Sequence, residues 1–149
     1  MKNIFEPQTA AQTIHRINSL KPDNQRQWGK MNVSQMMAHC SAVLEHALGD
    51  KVSKPSFFAR LLGPLFKGMM ASTKPFSKNA PTGPDFVIVD ERDFDAERQK
   101  LLRLLERFVV GGEMAVEGKR HPFFGKLSSA QWSNGIYKHL DHHLRQFGV

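Results

Sequence analysis

The sequence predicts an all-α protein: a four-helix bundle with a helical insertion in the long crossover between its second and third helices. Three observations predict it. Four segments carry apolar residues at steps of three and four and are bounded by capping, proline or glycine residues. The connection from Lys51 to Pro84 is far longer than a usual helix–helix loop and has an apolar periodicity of its own. Strand-like patterning is confined to the short extended stretch F-V-I-V, Phe86–Val89. The 149 residues suit one domain, 1–149, with a core large enough to fold without disulfides.

In chain order, Pro7 opens a first helix that runs to about Leu20 with Ile14, Ile17 and Leu20 on one side, and Lys21-Pro22 stops it. Trp28-Gly29 reads as a tucked aromatic before a turn. Asn32 and Gln35 form a capping-box pattern for a second helix, Val33–Leu48, which Gly49 ends. Its apolar arc is Met36, Met37, Cys40, Val43, Leu44 and Ala47; Cys40 inside that arc is a small buried hydrophobe. His39 lies at the border of the arc, and His46 lies near the same border two turns later. In the crossover, Phe57, Phe58, Leu61, Leu62, Leu65, Phe66, Met69 and Met70 predict a basic amphipathic helix over about 56–72, interrupted at Gly63-Pro64. It reads either as a helix packed over the bundle, or as a lid or membrane-surface helix. Asp93 or Asp90 caps the third main helix, whose stripe is Leu101, Leu102, Leu105, Phe108 and Val109, and Gly111-Gly112 ends it. Ser128 and Gln131 repeat the capping-box pattern and open the last helix, about Ser129–Phe147.

Composition excludes several classes. One cysteine, Cys40, rules out an internal disulfide and makes a reducing cytoplasm the simplest setting. The start M-K-N-I-F-E-P has no apolar core of a signal peptide, and no apolar run reaches the roughly 20 residues that span a bilayer. The net charge of +7 attracts anions, and six Lys or Arg residues with no Asp or Glu lie between Lys51 and Pro84. Those cations are interspersed with Phe, Leu and Met at core-like spacing, and no nucleic-acid fold signature is present, so nucleic acid is not the expected partner.

The last helix holds three of the seven histidines. On a 3.6-residue repeat His139 and His143 share a face beside the apolar arc of Trp132, Ile136, Leu140, Leu144 and Phe147. Gln146 falls on the edge of His139, whereas His142 turns to the polar side with Lys138 and Arg145. Two imidazoles one turn apart could hold one metal ion, or be core-edge histidines bonded to backbone. His15 reads as a surface residue.

The order M-N-V-S-Q-M-M-A-H-C, long crossover, H-L-D-H-H-L-R-Q resembles the DinB/YfiT-like superfamily of four-helix metalloproteins. W-G-K-M-N-V-S-Q-M-M-A-H-C, F-D-A-E-R-Q-K-L-L-R-L-L and H-P-F-F-G-K-L-S-S-A-Q-W are similar to an uncharacterised, domain-of-unknown-function branch of it. The resemblance implies metal ligands His39, His139 and His143, with Gln146 three residues on, and it makes a homodimer plausible. Three imidazoles leave open positions on zinc, nickel or iron, as in a catalytic site. Such a site lets bound water ionise near neutral pH or takes a thiol as thiolate.

The function expected is therefore a metal-dependent enzyme acting on a small-molecule substrate, in the form of a transferase using a low-molecular-weight thiol, or a hydrolase. Met36, Trp132 and Ile136 would line its pocket. His121, in H-P-F-F-G, would contact substrate or shuttle a proton as a catalytic residue, or else bond to backbone. Asp141, Glu45 and Glu113 are the nearest carboxylates in sequence, with no assigned partner. The alternative is a non-catalytic metal-binding protein, or one that docks on an anion or membrane surface.

Overall fold

The computed structural model describes residues 2–53 and 61–149, and they are mostly helical. Helix α1 spans Pro7–Ser19, with Pro7 in its first turn and Leu20 as its C-cap. Helix α2, Val33–Leu48, starts at the expected capping box: Asn32 accepts from the Gln35 amide at 2.8 Å and Gln35 accepts from the Asn32 amide at 2.9 Å. Gly49, at φ 79°, closes it in the left-handed conformation that glycine adopts without a Cβ clash. Small residues Ser34, Ala38, Ser41 and Ala42 are buried along with the apolar arc, so α2 is enclosed on nearly all sides. Cys40 is buried beside Met36, and burial pushes its thiol pKa up, in keeping with a hydrophobe's role.

The sequence-predicted insertion falls partly on residues 54–60, which lie outside the described residues. Beyond them come a 3-10 turn at Gly63–Phe66 and one helical turn, α3, Gly68–Ala71. Among the described apolar residues of this segment, Met70 enters the core, and Leu61, Leu62, Leu65, Phe66 and Met69 stay exposed. The expected extended stretch at Phe86–Val89 is not a strand. Pro84–Phe86 is a 3-10 turn closed by the Val87 amide on the Pro84 carbonyl, and Val87 and Val89 are exposed. Their β-branched shape suits a strand, but among the described residues no strand pairs with them.

Helix α4, Phe94–Gly111, is capped by Asp93 rather than Asp90: its carboxylate accepts from the Ala96 amide at 2.7 Å. It buries Leu101, Leu104, Leu105 and Phe108, while Leu102 and Val109 are only partly covered. A 3-10 turn, Gly112–Val116, leads to a two-residue hairpin the sequence did not announce, β1 Arg120–His121 against β2 Gly125–Lys126, antiparallel. Helix α5, Ser129–Gln146, opens at the Ser128–Gln131 capping box. Each long helix packs on two others: α2 on α4 and α5, and α1 on α4 and α5. Arg16 locks α1 to α5 through Asp141 at 2.8 Å. No described helix is long and apolar enough to cross a membrane.

The crossover covers a face of α5 that periodicity assigned to solvent. Asn134 Nδ2 donates to the Met70 and Ser72 carbonyls at 2.5 and 3.2 Å, and Lys138 Nζ donates to the Met69 carbonyl at 2.7 Å. Asn134 and Lys138 are consequently buried. Between them Gly135 lets Met70 approach so closely that a Cβ there would displace the Met70 side chain. Asn134→Ala removes the side-chain donor to the Met70 carbonyl; it is expected to cost about 1–3 kcal/mol, measured by urea unfolding. An unchanged midpoint would mean that the crossover is not held at this point.

Candidate metal centre

Helix α2 brings His39, and α5 brings His139 and His143, to one place. Each offers a ring nitrogen, and the three atoms lie within 4.8 Å of one another. Ring centroids are 4.9 Å apart for His39–His139, 4.8 Å for His39–His143 and 4.7 Å for His139–His143. His39 and His143 are buried and His139 is partly so. The convergence follows from the borders of the two apolar arcs: α2 and α5 pack core to core, so residues at the rim of each arc meet at the rim of the contact.

The nitrogens that face outward are already committed. His39 Nδ1 lies 2.8 Å from the Phe86 carbonyl, which can only accept, so Nδ1 carries the proton. Gln146 Nε2 donates to the Trp28 carbonyl, which turns Oε1 toward His143 Nδ1 at 2.8 Å and assigns that nitrogen its proton too. The lone pairs of both rings therefore reside on Nε2. His39 Nε2 lies 2.9 Å from His139 Nε2, an N–H···N bond in which His139 donates. Holding one imidazole nitrogen by a carbonyl or amide to orient the other is the usual support of a metal-binding histidine. Tetrahedral zinc with bonds of roughly 2.0–2.1 Å needs nitrogens about 3.4 Å apart. The His39–His139 pair is about half an ångström tighter than that, and the widest pair in the cluster is looser. Small rotations of the rings would fit the group, so the buried cluster could hold a metal ion.

Gly29 supports this arrangement from outside. Its φ of 81° belongs to glycine, and a Cβ there would strike the Gln146 amide. The close approach lets the Trp28 carbonyl reach Gln146 at 2.6 Å.

None of the carboxylates near these elements in sequence belongs to the cluster. Asp141 binds Arg16 and Arg145, Glu45 binds Lys51 and Lys100, and Glu113 is exposed. Among the described residues the cluster is purely imidazole and its supports are neutral. His46, near the same helix border, does not join: its ring bonds the Ala42 carbonyl at 2.8 Å and Ser53 Oγ at 2.6 Å. His15 is exposed, as expected. His142 departs from its expected polar surroundings. It is half-buried, edge-on to Trp28 at 5.5 Å and against His143 at 5.1 Å, because the Trp28 loop and Phe76 fold over it. Met36, Trp132 and Ile136 do not line an opening; all three are core residues.

His121 sits in β1, stacked on Phe124 at 4.6 Å and Trp132 at 5.4 Å. Its Nδ1 accepts from the Phe123 and Phe124 amides at 3.1 and 3.2 Å, leaving the proton on Nε2. Burial and the nearby His46 lower its pKa to about 4, so it is neutral at pH 7. What sequence reasoning missed are the carbonyls of Phe86 and Trp28, since backbone groups carry no signal in residue type.

Burial also holds the cluster neutral. It lowers His143 to about 3, with His39 adding to the effect, and lowers His39 against the opposing pull of the Phe86 carbonyl. His139 lies well below its usual value through burial and then the neighbouring imidazoles. The unfolded chain takes up protons near pH 6.5, whereas the folded chain takes them up only at lower pH. Metal-free protein is therefore expected to lose stability on acidification from pH 7.5 to 5, above the carboxylate range. Urea unfolding at several pH values checks this; a flat profile over that interval would contradict buried neutral imidazoles.

No curated protein matches the chain, and no solved structure does. One family model matches residues 5–148, nearly the whole length and including all the histidines of the cluster. The chain thus belongs to the family described as protein of unknown function, DUF1569.

Proposed function

We propose that this protein is a metal-dependent enzyme whose ion is held by His39, His139 and His143, acting on a small molecule. The observation that carries the reading is the convergence of three imidazoles, two of which, His39 and His143, have their outer nitrogens engaged by protein oxygens. The helical frame is read as a DinB/YfiT-like four-helix bundle formed by one domain, 1–149; the mutual packing of α1, α2, α4 and α5 supports it. Zinc, nickel and iron all suit imidazole. The ion would supply a Lewis-acidic centre with open positions, able to acidify a water or thiol.

The chain's own residues have separable roles. The Phe86 carbonyl and Gln146 orient His39 and His143. His121, neutral and protonated at Nε2, donates a hydrogen bond to substrate rather than taking a proton at Nδ1, which two amides already occupy. Buried Met36, Trp132 and Ile136 are the dry apolar backing of the α2–α5 contact. The favoured reaction is group transfer from or to a low-molecular-weight thiol, with hydrolysis as the other form.

Single changes of His39, His139 or His143 to Ala are expected to abolish tight metal binding with little loss of helix, measured by elemental analysis and circular dichroism. Gln146→Ala is expected to weaken binding about 10–100-fold without abolishing it. His142→Ala retains the metal, since its ring is outside the cluster. Equal losses for His142→Ala and His143→Ala would overturn the site. A metal-loaded sample that binds no small thiol would remove the transferase form and leave hydrolysis.

A further inference from the structure

On the outer side of α5, away from the core, a cleft of about 400 Å³ opens between the Trp28 loop, the Thr73–Lys78 segment and the helix. Its size is that of a small-ligand site. Four rings line it: Trp28, Phe76, Tyr137 and His142. Three lysines are seated on these rings. Lys78 lies 4.4 Å from the Trp28 centroid, Lys138 4.6 Å from Phe76 and Lys2 5.4 Å from Tyr137. None of the three pairs with a carboxylate among the described residues.

The cleft's one carboxylate, Asp141, is neutralised twice, by Arg16 at 2.8 Å and by Arg145 Nε at 2.9 Å. Arg145 also lines the cleft and uses only Nε in that pair. A lysine on an aromatic face is not neutralised as it would be by a carboxylate partner; Lys138 gives one proton to the Met69 carbonyl and has two others. The walls are therefore flat and apolar, and the rim is cationic with no free counter-charge.

We propose that this cleft binds a small planar organic anion, a ring bearing one phosphate or carboxylate. The ring packs among Trp28, Phe76 and His142, and the anionic group meets Lys78, Lys138 and Arg145. Inorganic anions lack the surface that the rings would cover, and neutral rings lack the charge that the rim would bind. The site does not require the metal centre, because none of the three clustered histidines lines it.

The test is calorimetric titration of full-length, metal-stripped protein with phenyl phosphate and with 1-naphthoate, beside phenol, 1-naphthamide and inorganic phosphate. One or both ring-bearing anions are expected to bind at least tenfold more tightly than their neutral counterparts and than inorganic phosphate, with affinity falling as salt rises. Whichever of the two binds tells phosphate from carboxylate. Lys78 is exposed, so Lys78→Ala should fold normally; it is expected to weaken binding about fivefold to tenfold. Lys126→Ala, an exposed lysine outside the cleft lining, is expected to leave binding in place. No binding of either ring-bearing anion, equal binding of a neutral ring, or full affinity in Lys78→Ala would each overturn the proposal.

Discussion

Three imidazoles packed within one ring's width of each other impose a strict condition: none can take up a proton cheaply. A charge on any one would be buried and would face two neighbours. The structure meets the condition by placing a neutral acceptor on the outer nitrogen of two of them, the Phe86 carbonyl for His39 and Gln146 for His143. The inner nitrogens of His39 and His139 share one proton-bearing contact at 2.9 Å, and loss of the His139 Nε2 proton would free that nitrogen as a metal ligand. Much of the local architecture follows. The Pro84–Phe86 turn and the Trp28 loop are placed where their carbonyls are needed, and the acidic side chains nearby are tied to Arg and Lys.

The long helices were legible because their ends and faces carry independent signals. Asn32–Gln35 and Ser128–Gln131 mark starts to the residue, and Gly49 and Gly112 mark stops, since these are questions of local hydrogen bonding and φ. The meeting of His39 with His139 and His143 was legible as well, because each lies at the rim of an apolar arc. The coverage of α5 was not legible. Lys138 and His142 have the chemistry of a solvated face, and only the route of the crossover decides that Met69–Phe76 lies on them. Phe86–Val89 failed for the related reason that a strand needs a partner, which composition cannot supply. The hairpin at His121 is two residues per strand, too short for any periodicity.

The two faces of α5 are therefore different environments built on one helix. The inner face presents imidazoles whose charge is suppressed by burial. The outer face presents ammonium groups seated on aromatic rings, Lys78 over Trp28 and Lys138 over Phe76. His142 stands between the two, its ring touching His143 on one side and Trp28 on the other.

Gly29 shows how far such a centre extends along the chain. It is an exposed loop residue with no functional group, yet its missing side chain is what admits the Gln146 amide to the Trp28 carbonyl. A random-mutagenesis screen scored on metal occupancy would recover changes at this glycine together with changes at the histidines. A screen scored on folding would rank it with ordinary surface loops. The genetic footprint of the centre is thus wider than its chemistry, and it includes a position defined only by the space it leaves.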